Sequence, residues 1–218
     1  AGGFSYLGKG KQQGMIQQVV AEGVKPNRYV DVTKASDADL VKLLTSDSSV
    51  QRLEASRRII DLKKTGLAES VLAVAASGQA HLYHRVAAIF TYKQLLGAGS
   101  TDGLVGLTKD AAVREFALRA LADRTTETKG VPVQPFLDGL KDPNPRVRLQ
   151  ATIGLQRLGA KDAAGAIAAA AATWPADEAK LEEGAHYRLP HTAIHALERL
   201  ANAKPLVEAA KDPAQRFV

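Results

Sequence analysis

The chain has 218 residues, a formal net charge of +6 and no cysteine, so disulfides, thiolate zinc sites, iron–sulfur clusters and c-type haem attachment within it are excluded. Aromatic residues are only 5%, which leaves Ala and Leu to build the core and suits closely packed helices better than a sheet. Half of the charge excess falls in the first 35 residues, where Lys9, Lys11, Lys25, Arg28 and Lys34 outnumber Glu22 and Asp31; the rest is too mildly basic for the clustered charge of a nucleic-acid binder.

The missing cysteines leave the redox compartment open. No apolar run is long enough to cross a membrane. No signal peptide is visible and the first residue is Ala, so the chain reads as a processed product or a segment of something longer.

Residues 1–35 form a first, extended unit. AGGFSYLGKGKQQG carries five Gly in 14 residues and cannot sustain a helix. MIQQVVAEGV reads as a short strand ended by Gly23, and KPNRYVDV as a linker. This head is either a tail packed on the first helical unit or the last strand of an upstream β domain.

Residues 36–218 read as helical hairpins. Ser36 is an N-cap for DADLVKLL, whose first-turn acids suit the helix dipole. Asp47 and Ser48 are expected to cap SVQRLEASRRIIDLKK, ended by Gly66. The second hairpin is LAESVLAVAAS with AHLYHRVAAIFTYKQLL, closed by Gly97. STDGLVGLTK and DAAVREFALRALADR make the third. The fourth is PVQPFLDGLK and RVRLQATIGLQRLG around DPNP, with Pro145 in an early helical position. The fifth pairs the Ala-rich KDAAGAIAAAAAT with RLPHTAIHALERLA, across an insertion WPADEAKLEEGAHY. The sixth, KPLVEAAKDPAQRFV, is half a hairpin, so its apolar face awaits more chain or another molecule.

One polar pattern recurs through these hairpins. Asp47, Asp110, Asp142 and Asp212 each end an apolar stretch, and Arg52, Arg114, Arg148 and Arg216 follow four to six residues later. The Asp spacings of 63, 32 and 70 residues are about two, one and two steps of a unit a little over 30. The empty steps predict copies near 78 and 177, and Arg85 and Arg188 stand close to those places. A period of this size marks a solenoid. The Asp is expected to satisfy free N–H groups at the second helix, and the Arg to reach the Asp of its own or the neighbouring unit, giving a structural ladder. Three residues after the Arg stands a small residue, Ala55, Ala88, Ala117 or Ala151, that admits a close neighbour; His191 takes that place after Arg188.

DPNPRVRLQATIGLQRLG resembles the second-helix signature of HEAT repeats, of the short kind in bacterial HEAT-like and phycobilisome-lyase-like proteins. The resemblance implies an all-α, right-handed α-solenoid of about five to six hairpins over 36–218, with the last repeat incomplete. It implies binding of a protein, or of other domains of the same polypeptide, on an extended face, without catalysis in this segment and without a cofactor. GMIQQVVAEGVKP followed by DVTKASDADLVKLLTSDSSVQRLEASRRII is similar to a junction in large exported proteins of planctomycetes. Those run from a sorbosone-dehydrogenase-like β-propeller through HEAT repeats to a cytochrome c domain. On that likeness the chain is the middle of a periplasmic or exported redox protein; the family's CxxCH is absent here. Without that likeness a cytoplasmic location stands equally open.

Few residues suggest chemistry. His191 and His195 share a helix face, with His186 just upstream, and that spacing can chelate a divalent ion. HTAIH lacks the Glu of a zinc peptidase, and a plain His pair at a repeat junction is the simpler reading. His81 and His84 read as helix-start residues. Trp174 is either a partner-contact anchor on the inserted loop or a plug for the seam between hairpins. Some HEAT-like solenoids resemble alkylpurine DNA glycosylases, which use several Trp, an Asp and a basic face; one Trp and mild charge fit that alternative poorly. A likeness to bilin lyases is a further alternative. No nucleophile elbow and no phosphate-binding glycine loop occurs.

Overall fold

The computed structural model describes residues 29–174 and 185–200, together with 22–23, 207 and 211, and gives backbone alone for 185–187. The predicted strand and most of the Gly-rich head, most of the insertion, the sixth hairpin with Asp212 and Arg216, and the side chain of His186 lie outside the described residues. Those residues are all-α, with no strand among them. Five helix pairs follow one another: α1 (Asp37–Leu43) and α2 (Ser49–Asp61), α3 (Ala68–Ala76) and α4 (Leu82–Leu96), α5 (Thr101–Leu107) and α6 (Arg114–Leu121), α7 (Gln134–Gly139) and α8 (Pro145–Leu158), α9 (Ala164–Ala171) and α10 (Ala185–Leu200).

Local chemistry sets the helix ends. Ser36 and Asp39 form a reciprocal capping box at α1, which satisfies two otherwise free backbone donors. Ser48 caps α2 through the Gln51 amide, and Asn144 caps α8 through the Arg146 amide with Pro145 behind it. Asp47 is therefore not the cap of α2. Gly97 and Gly159 take positive φ after α4 and α8, as a chain leaving a helix requires. Gly66 does not end α2: the helix stops at Asp61, and Lys63 adopts the left-handed turn with φ 48°. Short 3-10 turns (Thr65–Leu67, Gly97–Ser100, Lys161–Ala163) lead into α3, α5 and α9.

The second helices stack in order, α2 on α4, α4 on α6, α6 on α8 and α8 on α10, while each first helix packs on its own partner. One unbroken layer of second helices results, flanked by the shorter first helices. Leu40, Leu44, Ile59, Ile89, Leu104, Leu118, Leu121, Leu155, Ile167 and Leu197 fill the seam between layers; burying such a side chain is worth about 1.5–3 kcal/mol. Ala55, Ala88, Ala117 and Ala151 are all 0% exposed, so the small position after each arginine lies in the core, and Ala151 faces Gly139 in the first helix of its own pair. Gly139 and Gly154 extend the rule: a Cβ on Gly154 would stand 2.1 Å from the ring of fully buried Phe136, and one on Gly139 would stand 2.9 Å from the Ala151 Cβ.

Candidate functional site

The loops between paired helices bring the recurrent Asp and Arg side chains together across units. Arg85 at the start of α4 donates from Nη2 to Asp110 in the next unit at 2.5 Å, and its Nε donates to the Ala75 carbonyl at 2.8 Å. Arg114 at the start of α6 pairs with Asp142 of the following unit, while its Nε donates to the Thr108 carbonyl at 2.7 Å. Each Asp uses its other oxygen locally. Asp110 accepts from the Ala112 amide at 2.9 Å and Asp142 from the Asn144 amide at 2.8 Å. The Arg85 hydrogen bond, with the Ala112 amide behind it, holds Asp110 below the usual carboxylate range.

The first unit lacks a forward carboxylate, because the loop just before Arg85 (77–81, SGQAH) holds no Asp. Arg52 instead donates to its own loop, to the Ser46 carbonyl at 2.6 Å, and lies 4.6 Å from the centre of the Tyr83 ring. Tyr83 donates to Asp47 at 2.9 Å, which keeps its phenol above the ordinary value. Beside it His84 is buried, with Nε2 3.8 Å from Asp47, and desolvation pushes its pKa down. An aromatic cluster of His81, Tyr83 and His84 thus stands where the second and third units use an ion pair. At the far end Arg148 donates to the Asp142 and Pro143 carbonyls at 2.8 and 3.0 Å, and its buried Nε has no hydrogen-bond partner.

The fifth unit departs from the sequence expectation. In α8 Val147, Ala151 and Leu155 are buried, flanking Arg148; in α10 the matching series is Leu189, Ala193 and Leu197. That register puts Pro190 where the arginine would be and Ala193 at the small position. Arg188 is exposed, as is His191.

Trp174 is only 7% exposed and belongs to the core, which suits a plug for a seam better than an exposed anchor.

Positions one and five residues past the arginine place lie on the side of each second helix away from the first helices. Along the stack they read Leu53 and Arg57, Val86 and Phe90, Glu115 and Arg119, Leu149 and Ile153, then His191 and His195. Leu53 is 51% exposed, and Val50 and Tyr83 nearby are also open. Arg119 lies 5.7 Å from the Phe90 ring centre, and Arg146 clamps Glu115 with two bonds of 2.8 and 2.9 Å. A mixed apolar and cationic strip therefore runs along the second-helix layer. His191 and His195 end it, with Nε2 atoms 3.2 Å apart. Among the described residues no three His, Asp or Glu side chains converge as a metal cage, and no helix is long and apolar enough to cross a membrane.

The family model of the HEAT repeat matches residues 133–161, the stretch that holds α7 and α8. Among curated proteins, none matches the chain. The match and the stacked helix pairs fit a HEAT-repeat solenoid.

Proposed function

We propose that this chain is a non-catalytic docking segment that holds a protein, or neighbouring domains of its own polypeptide, on the second-helix strip. The observation that carries the reading is the strip itself, where Val50, Leu53 and Tyr83 stand open beside Arg57 on a layer otherwise closely packed. HEAT repeats as a class support it, since extended helical faces bind macromolecules. The recurrent Asp and Arg side chains serve the frame in this reading: they lock unit to unit and touch no ligand.

The same proposal places the segment in an exported redox protein, between a propeller-like domain and a cytochrome c domain, with residues 1–35 as the end of the upstream domain and 36–218 as the solenoid. The junction likeness in the sequence supports that context.

Two measurements test the reading. The coding sequence on either side is expected to encode a β-propeller upstream and a CxxCH-bearing domain downstream. In that longer protein, a photoreactive side chain at Leu53 is expected to cross-link to a flanking domain or a bound protein, and one at exposed Asp61 is not. Equal yields from both positions, or none from either, would remove the strip as the docking face.

A further inference from the structure

We propose that His191 and His195 form an open two-nitrogen site for a divalent transition metal on the exposed side of α10. The rings belong to residues four apart on one helix face, so they lie one above the other. Their Nε2 atoms are turned toward each other at 3.2 Å, with ring centres 4.5 Å apart and planes perpendicular. Imidazole nitrogens about 2.0–2.1 Å from one metal would be separated by about 2.9 Å across a right angle and about 3.3 Å across a tetrahedral angle. The observed separation falls between those edges, so the spacing matches that of two nitrogens sharing one ion.

The surroundings also suit coordination. Glu198 Oε2 lies 3.4 Å from His195 Nδ1. When Nδ1 carries the proton, facing that carboxylate, the Nε2 lone pair of His195 is free to bind, as behind many metal-bound histidines. Both rings are exposed, so an ion and its remaining waters have room. The register sharpens the point. Earlier units put Leu53 and Arg57, Val86 and Phe90, Glu115 and Arg119, or Leu149 and Ile153 at these two places, and α10 alone has paired imidazoles there. Neutral imidazole suits Cu(II), Ni(II) and Zn(II), with Cu(II) bound most tightly. Two protein ligands leave coordination positions open, so the metal would present a vacant face at the end of the strip. This inference stands apart from the docking proposal and does not need it.

The test is titration of the purified chain with Cu(II) alone, and separately with Zn(II) alone, followed by calorimetry. One equivalent is expected to bind, with Cu(II) at least tenfold tighter than Zn(II). Substituting His191→Ala or His195→Ala is expected to weaken Cu(II) binding at least tenfold, and Glu198→Gln by less. Both histidines are exposed, and circular dichroism is expected to show unchanged helix content in the variants. In frozen solution the Cu(II) electron spin resonance spectrum is expected to carry coupling to two nitrogens, reduced to one in either variant. Binding that survives both substitutions, Cu(II) and Zn(II) binding equally, or a spectrum without two-nitrogen coupling would overturn the site.

Discussion

Asp142 and Asp47 stand at equivalent places in their units, and their surroundings give them different weights. The Asp142 side chain is 6% exposed and holds both Arg114 and the Asn144 amide; the Asp47 side chain is 79% exposed and meets only Tyr83 and, more distantly, His84. Removing one member of a buried pair strands the other charge and typically costs 3–5 kcal/mol, whereas an exposed contact is worth about 1 kcal/mol or less. Arg114 keeps some solvent, so Asp142→Ala is expected to destabilise the protein by about 3 kcal/mol, and Asp47→Ala by less than about 1 kcal/mol. Urea unfolding of the two variants side by side checks this, and similar losses would contradict it. Two groups should also give stability a pH dependence in separate windows. His84 is held neutral below its ordinary value, so its contribution is complete above about pH 6.5 and is lost as pH falls toward its folded value. The groups facing it are His81, Tyr83, Asp47 and Arg52. Asp110 is held below its ordinary range, so its share persists down to about pH 4 and is lost further into acid. Unfolding free energies measured from pH 7 to 3 should show His84→Gln flattening the first decline and Asp110→Asn the second; unchanged slopes would reject both assignments.

At the scale of the helix, packing depends on where atoms are missing. Phe136 of α7 lies against the bare Cα of Gly154 in α8, so Gly154→Ala forces the ring or the helix to move. Overpacking of this kind costs about 1–3 kcal/mol, more than the helix propensity that Ala gains over Gly. A thermal melt is expected to show Gly154→Ala less stable than the parent, with Phe136→Leu partly restoring it in the double variant. Helix existence was legible because apolar spacing, Ser36, Gly97, Pro145 and Gly159 all agree with the structure. Some ends were not. Gly66 looked like a terminator, yet the left-handed turn falls on Lys63, because the backbone must turn within two residues of Asp61 to enter the next 3-10 turn. Ser48 was legible as a cap, but Asp47 beside it was not separable by type, since either side chain can accept from a first-turn amide.

Across the described residues the first helix of the fifth pair stands out for its small side chains: α9 offers Ala164, Ile167, Ala168 and Ala171 to the core, with Trp174 just beyond. Alanines bury little apolar area each, so the α9 end of the described stack should open first, since repeat stability sums local units and their contacts. Trp174 is the chain's only tryptophan and reports on that end. Its fluorescence is expected to resist iodide quenching in the native protein, and to change at lower urea than the circular dichroism signal. Coincident transitions would mean one cooperative unit. The repeat could be read from the sequence while the step stayed near 30 residues, and it failed at the fifth unit. There the insertion broke the count and Arg188 stood at a plausible place, while Leu189, Ala193 and Leu197 carry the true register. The strip and the Nε2 separation were beyond reach, because both depend on how helices turn relative to one another.

The forward reach of Arg85 and Arg114 has a genetic corollary. Residues 110–141 hold an acceptor at their start and a donor that grips the acceptor of whatever unit comes next. A tandem duplication of that cassette would offer the Arg114 of the first copy an Asp110 at the spacing where it now finds Asp142, so the gene could grow by copying without any new complementary surface having to arise.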